Sequence, residues 1–126
     1  MSTDHVELRV PASAAYVSVL RTAAAGLAAR LDFTVDDIED LRIAVDEACA
    51  VLIPLAEADA RLSARFDLEP GLLQVAVSVP SETTEPPSRN TFAWTVLKAL
   101  AGDVEATVDD GKLTLTLRKE QAVNTG

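Results

Sequence analysis

The sequence predicts an α/β protein, a two-layer sandwich with helices on one face of a mixed, mostly antiparallel sheet. Three observations carry this reading. Five short stretches alternate apolar and polar residues, and three longer ones repeat apolar residues at helical spacing. The two kinds follow one another as strand, helix, helix, strand, strand, helix, strand, strand. Alternating strands offer one face to the helices and one to water.

The first strand is "HVELRV", in which Val6, Leu8 and Val10 alternate with Glu7 and Arg9. Pro11 closes it and can open a helix, where its missing N–H costs nothing. Over residues 12–31, Tyr16, Val19, Leu20, Ala23, Leu27 and Leu31 recur as a core stripe. A second stripe of Val17, Arg21, Ala24 and Ala28 makes a small-residue face around a single cation. It reads either as a surface for a partner or as an ordinary solvated helix face.

The second helix lies in "LDFTVDDIEDLRIAVDEACAVLI", with Thr34 as N-cap and Asp37 in a capping-box position. Asp36 adds negative charge at the positive helix end. Ile38, Leu41, Val45, Ala48 and Leu52 face the core, and Pro54 ends or kinks the helix. Two strands follow, built on Leu62, Ala64, Phe66 and Leu68 and on Leu73, Val75, Val77 and Val79, with "EPG" as their turn. The polar, proline-rich "PSETTEPPSRN" is a loop, "TFAWTVLKALAG" a short helix stopped by Gly102, and "DDG" the turn of a last hairpin.

A chain of 126 residues suits one domain, taken as 1–120, with residues 121–126 a frayed tail. Hydrophobic residues are 48% and aromatics only 4%, so the core is built from Ala, Val and Leu. The net charge of −9 argues against nucleic acid, whose phosphates need a basic surface. It is compatible with a basic protein partner or with simple solubility. The one cysteine, Cys49, excludes an intramolecular disulfide and reads as a small buried hydrophobe rather than a reactive thiol. His5 is the only histidine, no Cys/His spacing resembles a metal site, and no metal is expected. No apolar run approaches a membrane span, and "MSTDHVELRV" lacks the basic and apolar regions of a signal peptide. A cytoplasmic location is expected.

The stretch "AVDEACAVLI" is the informative one. Asp46 and Glu47 interrupt an apolar run, and the residue one helical turn after Glu47 is Val51. A polar residue there would share a ligand with Glu47; valine does not.

"LRIAVDEACAVLI" resembles the N-box helix of the GHKL ATPase/kinase superfamily, specifically of the RsbW and SpoIIAB type of bacterial anti-sigma factor. That family carries Glu-x-x-x-Asn here, within a string close to "VDEACTNAI". The resemblance extends through "LDFTVDDIEDL" upstream and "VLKALAGDVE" downstream, and length and element order agree over nearly the whole chain. It implies the Bergerat, or histidine-kinase-like ATPase, fold. It implies that Glu47 stands where the family has the general base acting on a serine of an anti-anti-sigma protein. The family's asparagine, which holds the magnesium bridging the ATP phosphates, is Val51 here, without an oxygen for a hard cation.

The family's Asp-x-Gly-x-Gly, which anchors adenine, corresponds to "VPSET", with Val79, Ser81 and Thr83 at the three positions. Its phosphate-cradling Gly-x-Gly corresponds to "TFA", with Thr91 and Ala93 in place of glycine. Phe92 and Trp94 beside it read as core or as a plug. Three lost motifs, each serving a different part of the nucleotide, lead us to expect no cofactor, with ATP and magnesium retained only if the kinase survives.

Sigma-factor binding in the family does not depend on phosphoryl transfer. The resemblance places Arg21 where an arginine contacts both the sigma factor and the competing STAS-type anti-anti-sigma protein, with Val17, Ala24 and Ala28 around it. The expected function is therefore a cytoplasmic anti-sigma factor of stress-response transcription, switching by partner exchange. An active serine kinase and a sensor using the altered pocket for another small ligand remain open alternatives. A homodimer is expected from the resemblance, and from the sequence only through the alanine-rich stripe.

Overall fold

A computed structural model describes residues 4–121. The chain runs β1 (Asp4–Pro11), a 3-10 turn (Ala14–Tyr16), α1 (Val17–Arg30), α2 (Val35–Leu52), a second 3-10 turn (Ile53–Leu55), β2 (Arg61–Glu69), β3 (Leu72–Pro80), α3 (Phe92–Ala101), β4 (Asp103–Asp109) and β5 (Lys112–Glu120). The sheet order is β1-β2-β3-β5-β4, and all four pairings are antiparallel. The fold is thus the expected α/β sandwich, with its mostly antiparallel sheet antiparallel throughout.

Turn chemistry explains the hairpins. Pro70-Gly71 joins β2 to β3 with Gly71 at φ 78°, the left-handed position that a type II turn reserves for glycine. Asp110 and Gly111 join β4 to β5 with both φ values positive, 52° and 76°, as a type I′ turn requires.

The helices cover one sheet face, α1 over β2, α2 over β3 and β5, and α3 over β4 and β5. Phe66, Val75, Val77, Leu115 and Leu117 of the sheet are fully buried beneath Leu41, Val45, Ala48 and Leu52 of α2. Thr34 caps α2 as expected, its hydroxyl accepting the Asp37 N–H at 3.1 Å. Lys119 of β5 ties the layers together. It donates to the Leu100 carbonyl of α3 at 2.8 Å and lies 3.7 and 3.6 Å from the carboxylates of Asp37 and Asp40 of α2.

Two expectations need correction. The helix expected from residue 12 begins only at Val17, because Ser13 caps a 3-10 turn of three residues per turn that shifts the helical phase. Consequently Tyr16 and Val19 of the expected core stripe are each 44% exposed, whereas Leu20, Ala24 and Ala28 are the fully buried residues. The frayed tail does not include Gln121, whose N–H donates to the Gly71 carbonyl and whose side-chain amide donates to the Asp32 carbonyl. The rest of that tail, 122–126, lies outside the described residues.

Candidate functional site: the α1–α2 seam and the degenerate nucleotide boxes

Asp46 and Glu47 sit half-buried near the end of α2, and they are used differently. Arg21 of α1 donates from Nη1 to both oxygens of Asp46, at 2.8 and 3.0 Å. The pair is about one-third exposed, and such a bridge contributes at most about 1 kcal/mol. Its main consequence is geometric, fixing the arginine across the seam between two helices. Arg21 is therefore a paired cation, which the reading of its helix face did not include. The pair had a signal in the sequence. Arg21 stands nine residues before the end of α1 and Asp46 eleven after the start of α2, which a short helical hairpin brings level.

Glu47 makes no hydrogen bond or ion pair with the described residues. One turn on, Val51 is half-buried and packs on the core, so no metal ligand accompanies Glu47 on its face. Cys49 lies between them, fully buried. Burial, with the Asp46 carboxylate adding to it, pushes its thiol up to about 12, so it stays protonated at neutral pH.

Val79, expected from the resemblance at the adenine-anchoring position, is fully buried in the core of β3. Ser81, expected from the resemblance at a glycine position, is buried and donates to the Leu55 carbonyl at 2.6 Å while accepting the Thr83 N–H at 3.2 Å. Thr91, expected from the resemblance at the first glycine of a phosphate cradle, is the N-cap of α3, its hydroxyl accepting the Trp94 N–H at 3.1 Å. Ala93 is half-buried behind it. Sequence reasoning missed that these side chains have structural work. Ser81 is hydrogen-bonded across to the second 3-10 turn, and Thr91 within the start of α3.

The aromatics divide. Trp94 is buried, with Arg89 stacked 5.4 Å from its ring centroid, as a core residue would be. Phe92, two residues earlier on a helix, falls on the opposite side and is 83% exposed, neither core nor plug. A concavity of about 730 Å³ lies on the other sheet face, lined among others by Arg9, Arg65, Ser78 and Lys112. Glu47, Val51 and Thr91 take no part in it.

The partner stripe is also corrected. Ala24 and Ala28 are fully buried between α1 and α2, where their small side chains let the helices approach, so they cannot touch a partner. Val17 and Arg21 remain accessible in part. Among the described residues no three His, Cys, Asp or Glu side chains form a group able to hold a metal, and no helix is long and apolar enough to cross a membrane.

No protein-family model matches the chain. It is 36% identical over 124 residues to the anti-sigma-F factor RsbW of Mycobacterium tuberculosis, an alignment covering 90% of this chain and 73% of that protein. The chain belongs to the RsbW family. It is 40% identical over 80 residues to the serine-protein kinase RsbW of Bacillus velezensis, covering 61% of this chain and 50% of that one. With the serine-protein kinase RsbW of Bacillus cereus the identity is 27% over 146 residues, covering 98% and 91%. The alignments to the Bacillus velezensis and Bacillus subtilis proteins thus span half the length of each. The fold agrees with this RsbW membership.

Proposed function

We propose that this RsbW-family protein is a non-catalytic anti-sigma factor. It sequesters an alternative sigma factor of RNA polymerase in the cytoplasm as a homodimer, and releases it by exchange with a STAS-type anti-anti-sigma protein. Its relatives carry two kinds of name, anti-sigma-F factor and serine-protein kinase, and the residues of this chain favour the first activity without the second. The observation that carries the reading is Val51, one turn after Glu47, which gives the family's metal position an aliphatic side chain packed on the core. The hydrogen-bonded Ser81 and Thr91 support it, because a nucleotide would have to displace internal partners to enter.

Kinase activity is the second reading, favoured by one observation: Glu47 is retained with its carboxylate free of described partners. Titration calorimetry with magnesium-ATP separates the two. The proposal expects no measurable heat of binding and no shift in melting temperature, since a ligand that binds only the folded state must raise it. It also expects Glu47→Gln to repress sigma-dependent transcription as well as wild type does. Phosphate transfer to an anti-anti-sigma serine that disappears in Glu47→Gln would establish the kinase instead.

A further inference from the structure

The sheet face away from the helices carries one row of side chains that crosses every strand. Arg9 of β1 stands opposite Ser63 of β2, Ser63 opposite Ser78 of β3, Ser78 opposite Thr114 of β5, and Thr114 opposite Thr107 of β4. Cross-strand partners share a face, so one guanidinium and four hydroxyls lie in line at about 4.8 Å per strand. Arg9, Ser63, Ser78 and Thr114 line the concavity of about 730 Å³. Ser78 is only 7% exposed, and its hydroxyl makes no hydrogen bond with the described residues. Among those residues no fully enclosed side-chain polar atom lacks a partner, so this hydroxyl opens into the concavity and is satisfied from there.

Charges surround the row. Arg61 and Lys112 stand two residues along from Ser63 and Thr114 on the same face, and Glu57 and Asp59 belong to the segment leading into β2. The side chains of Arg9, Arg61, Lys112, Glu57 and Asp59 form no ion pair or hydrogen bond among the described residues, although all five line one concavity. Unlike charges held apart across a polar floor suit a ligand that carries both signs. Arg65, also in the lining, is already bonded to Asp67 and stands opposite Glu7. The five free groups, three cations and two acids, leave a surplus of one positive charge. We propose that the concavity binds an acidic α-amino acid, L-glutamate or L-aspartate. Its two carboxylates meet Arg9, Arg61 and Lys112, and its ammonium meets Glu57 and Asp59. The hydroxyls of Ser63, Ser78 and Thr114 donate to the carboxylate oxygens. Two carboxylates and one ammonium carry the single negative charge that offsets the surplus. A simple oxyanion would leave Glu57 and Asp59 unmatched, and a polyamine would leave the cations so. The described lining has no aromatic ring on which a nucleobase could stack. The site lies on the opposite side of the sheet from the α1–α2 seam and does not depend on the anti-sigma reading.

L-Glutamate and L-aspartate, each titrated into the purified protein and followed by amide chemical shifts, test the proposal. The expected result is saturable shifts at Ser63, Ser78 and Thr114, the tighter of the two amino acids naming the ligand. Glutarate lacks the ammonium and γ-aminobutyrate lacks the α-carboxylate, so each should bind at least about tenfold more weakly than L-glutamate. Arg61→Gln, Glu57→Gln and Ser78→Ala should each weaken binding about tenfold. Arg61 and Glu57 are exposed and Ser78→Ala only removes a hydroxyl, so circular dichroism and the melting temperature without ligand should stay those of wild type. Saturation by neither amino acid, glutarate binding as tightly as L-glutamate, or undiminished affinity in any of the three variants overturns the site.

Discussion

Asp46 and Glu47 are neighbours with unlike roles, and the difference comes from which side of α2 each one occupies. Asp46 meets Arg21 across the seam, while Glu47 shares its side of the helix with Val51. The Arg21–Asp46 pair changes how the arginine should be tested. Arg21→Glu would set two acids against each other and disturb the α1–α2 seam, so Arg21→Gln is the cleaner substitution. It should weaken sigma binding by roughly 2–5 kcal/mol while the melting temperature moves little, the exposed bridge itself contributing less than about 1 kcal/mol. Unchanged sigma affinity in Arg21→Gln would move the interface to another face. Cys49 makes a second residue-scale prediction. Its folded thiol is raised from 9.0 to about 12, so its contribution to stability is complete below pH 9 and is lost as pH rises toward 12. Native protein should resist thiol reagents at neutral pH and react only on unfolding; rapid labelling of the folded protein would contradict the burial.

At the scale of the element, α3 starts at Thr91, its N-cap, which the resemblance implies stands at a phosphate-cradle position. Thr91→Ala should lower stability by about 1 kcal/mol in denaturant titration, the ordinary value of a lost cap, and Thr34→Ala should do the same for α2. An insensitive Thr91→Ala would mean that the hydroxyl is not holding the helix start, and the cradle would be open to another use. The elements themselves were legible from the sequence because strands built on Leu62–Leu68 and Leu73–Val79 alternate cleanly and Thr34, Gly102 and Asp110-Gly111 mark their boundaries. The faces of α1 were not. Alanine fits core and surface alike, so Ala24 and Ala28 could not be assigned by periodicity, and the 3-10 turn before Val17 rotated the stripe by an amount that spacing does not reveal. Of the site, the placement of Glu47 and Val51 one turn apart on α2 was readable by spacing. The pairing of Arg21 with Asp46 and the hydrogen bond of Ser81 to Leu55 depend on tertiary contacts between distant segments, whereas the Thr91 cap is local.

For the whole molecule, the helix layer and the sheet together leave two kinds of surface. One is the α1–α2 seam, where Arg21 is held and Glu47 is free of described partners; the other is the outer sheet face, where Arg9, Ser63 and Ser78 line the concavity. If this RsbW-family chain binds no nucleotide, as proposed, surface recognition is the function left to the fold. The central claim is that sigma binding is independent of nucleotide. It is tested most directly by measuring the affinity of the purified protein for its cognate sigma factor, recovered by co-purification and identified by mass spectrometry, with and without magnesium-ATP. The account predicts tight binding with the same dissociation constant in both conditions; a sigma factor that binds only when magnesium-ATP is present would contradict it.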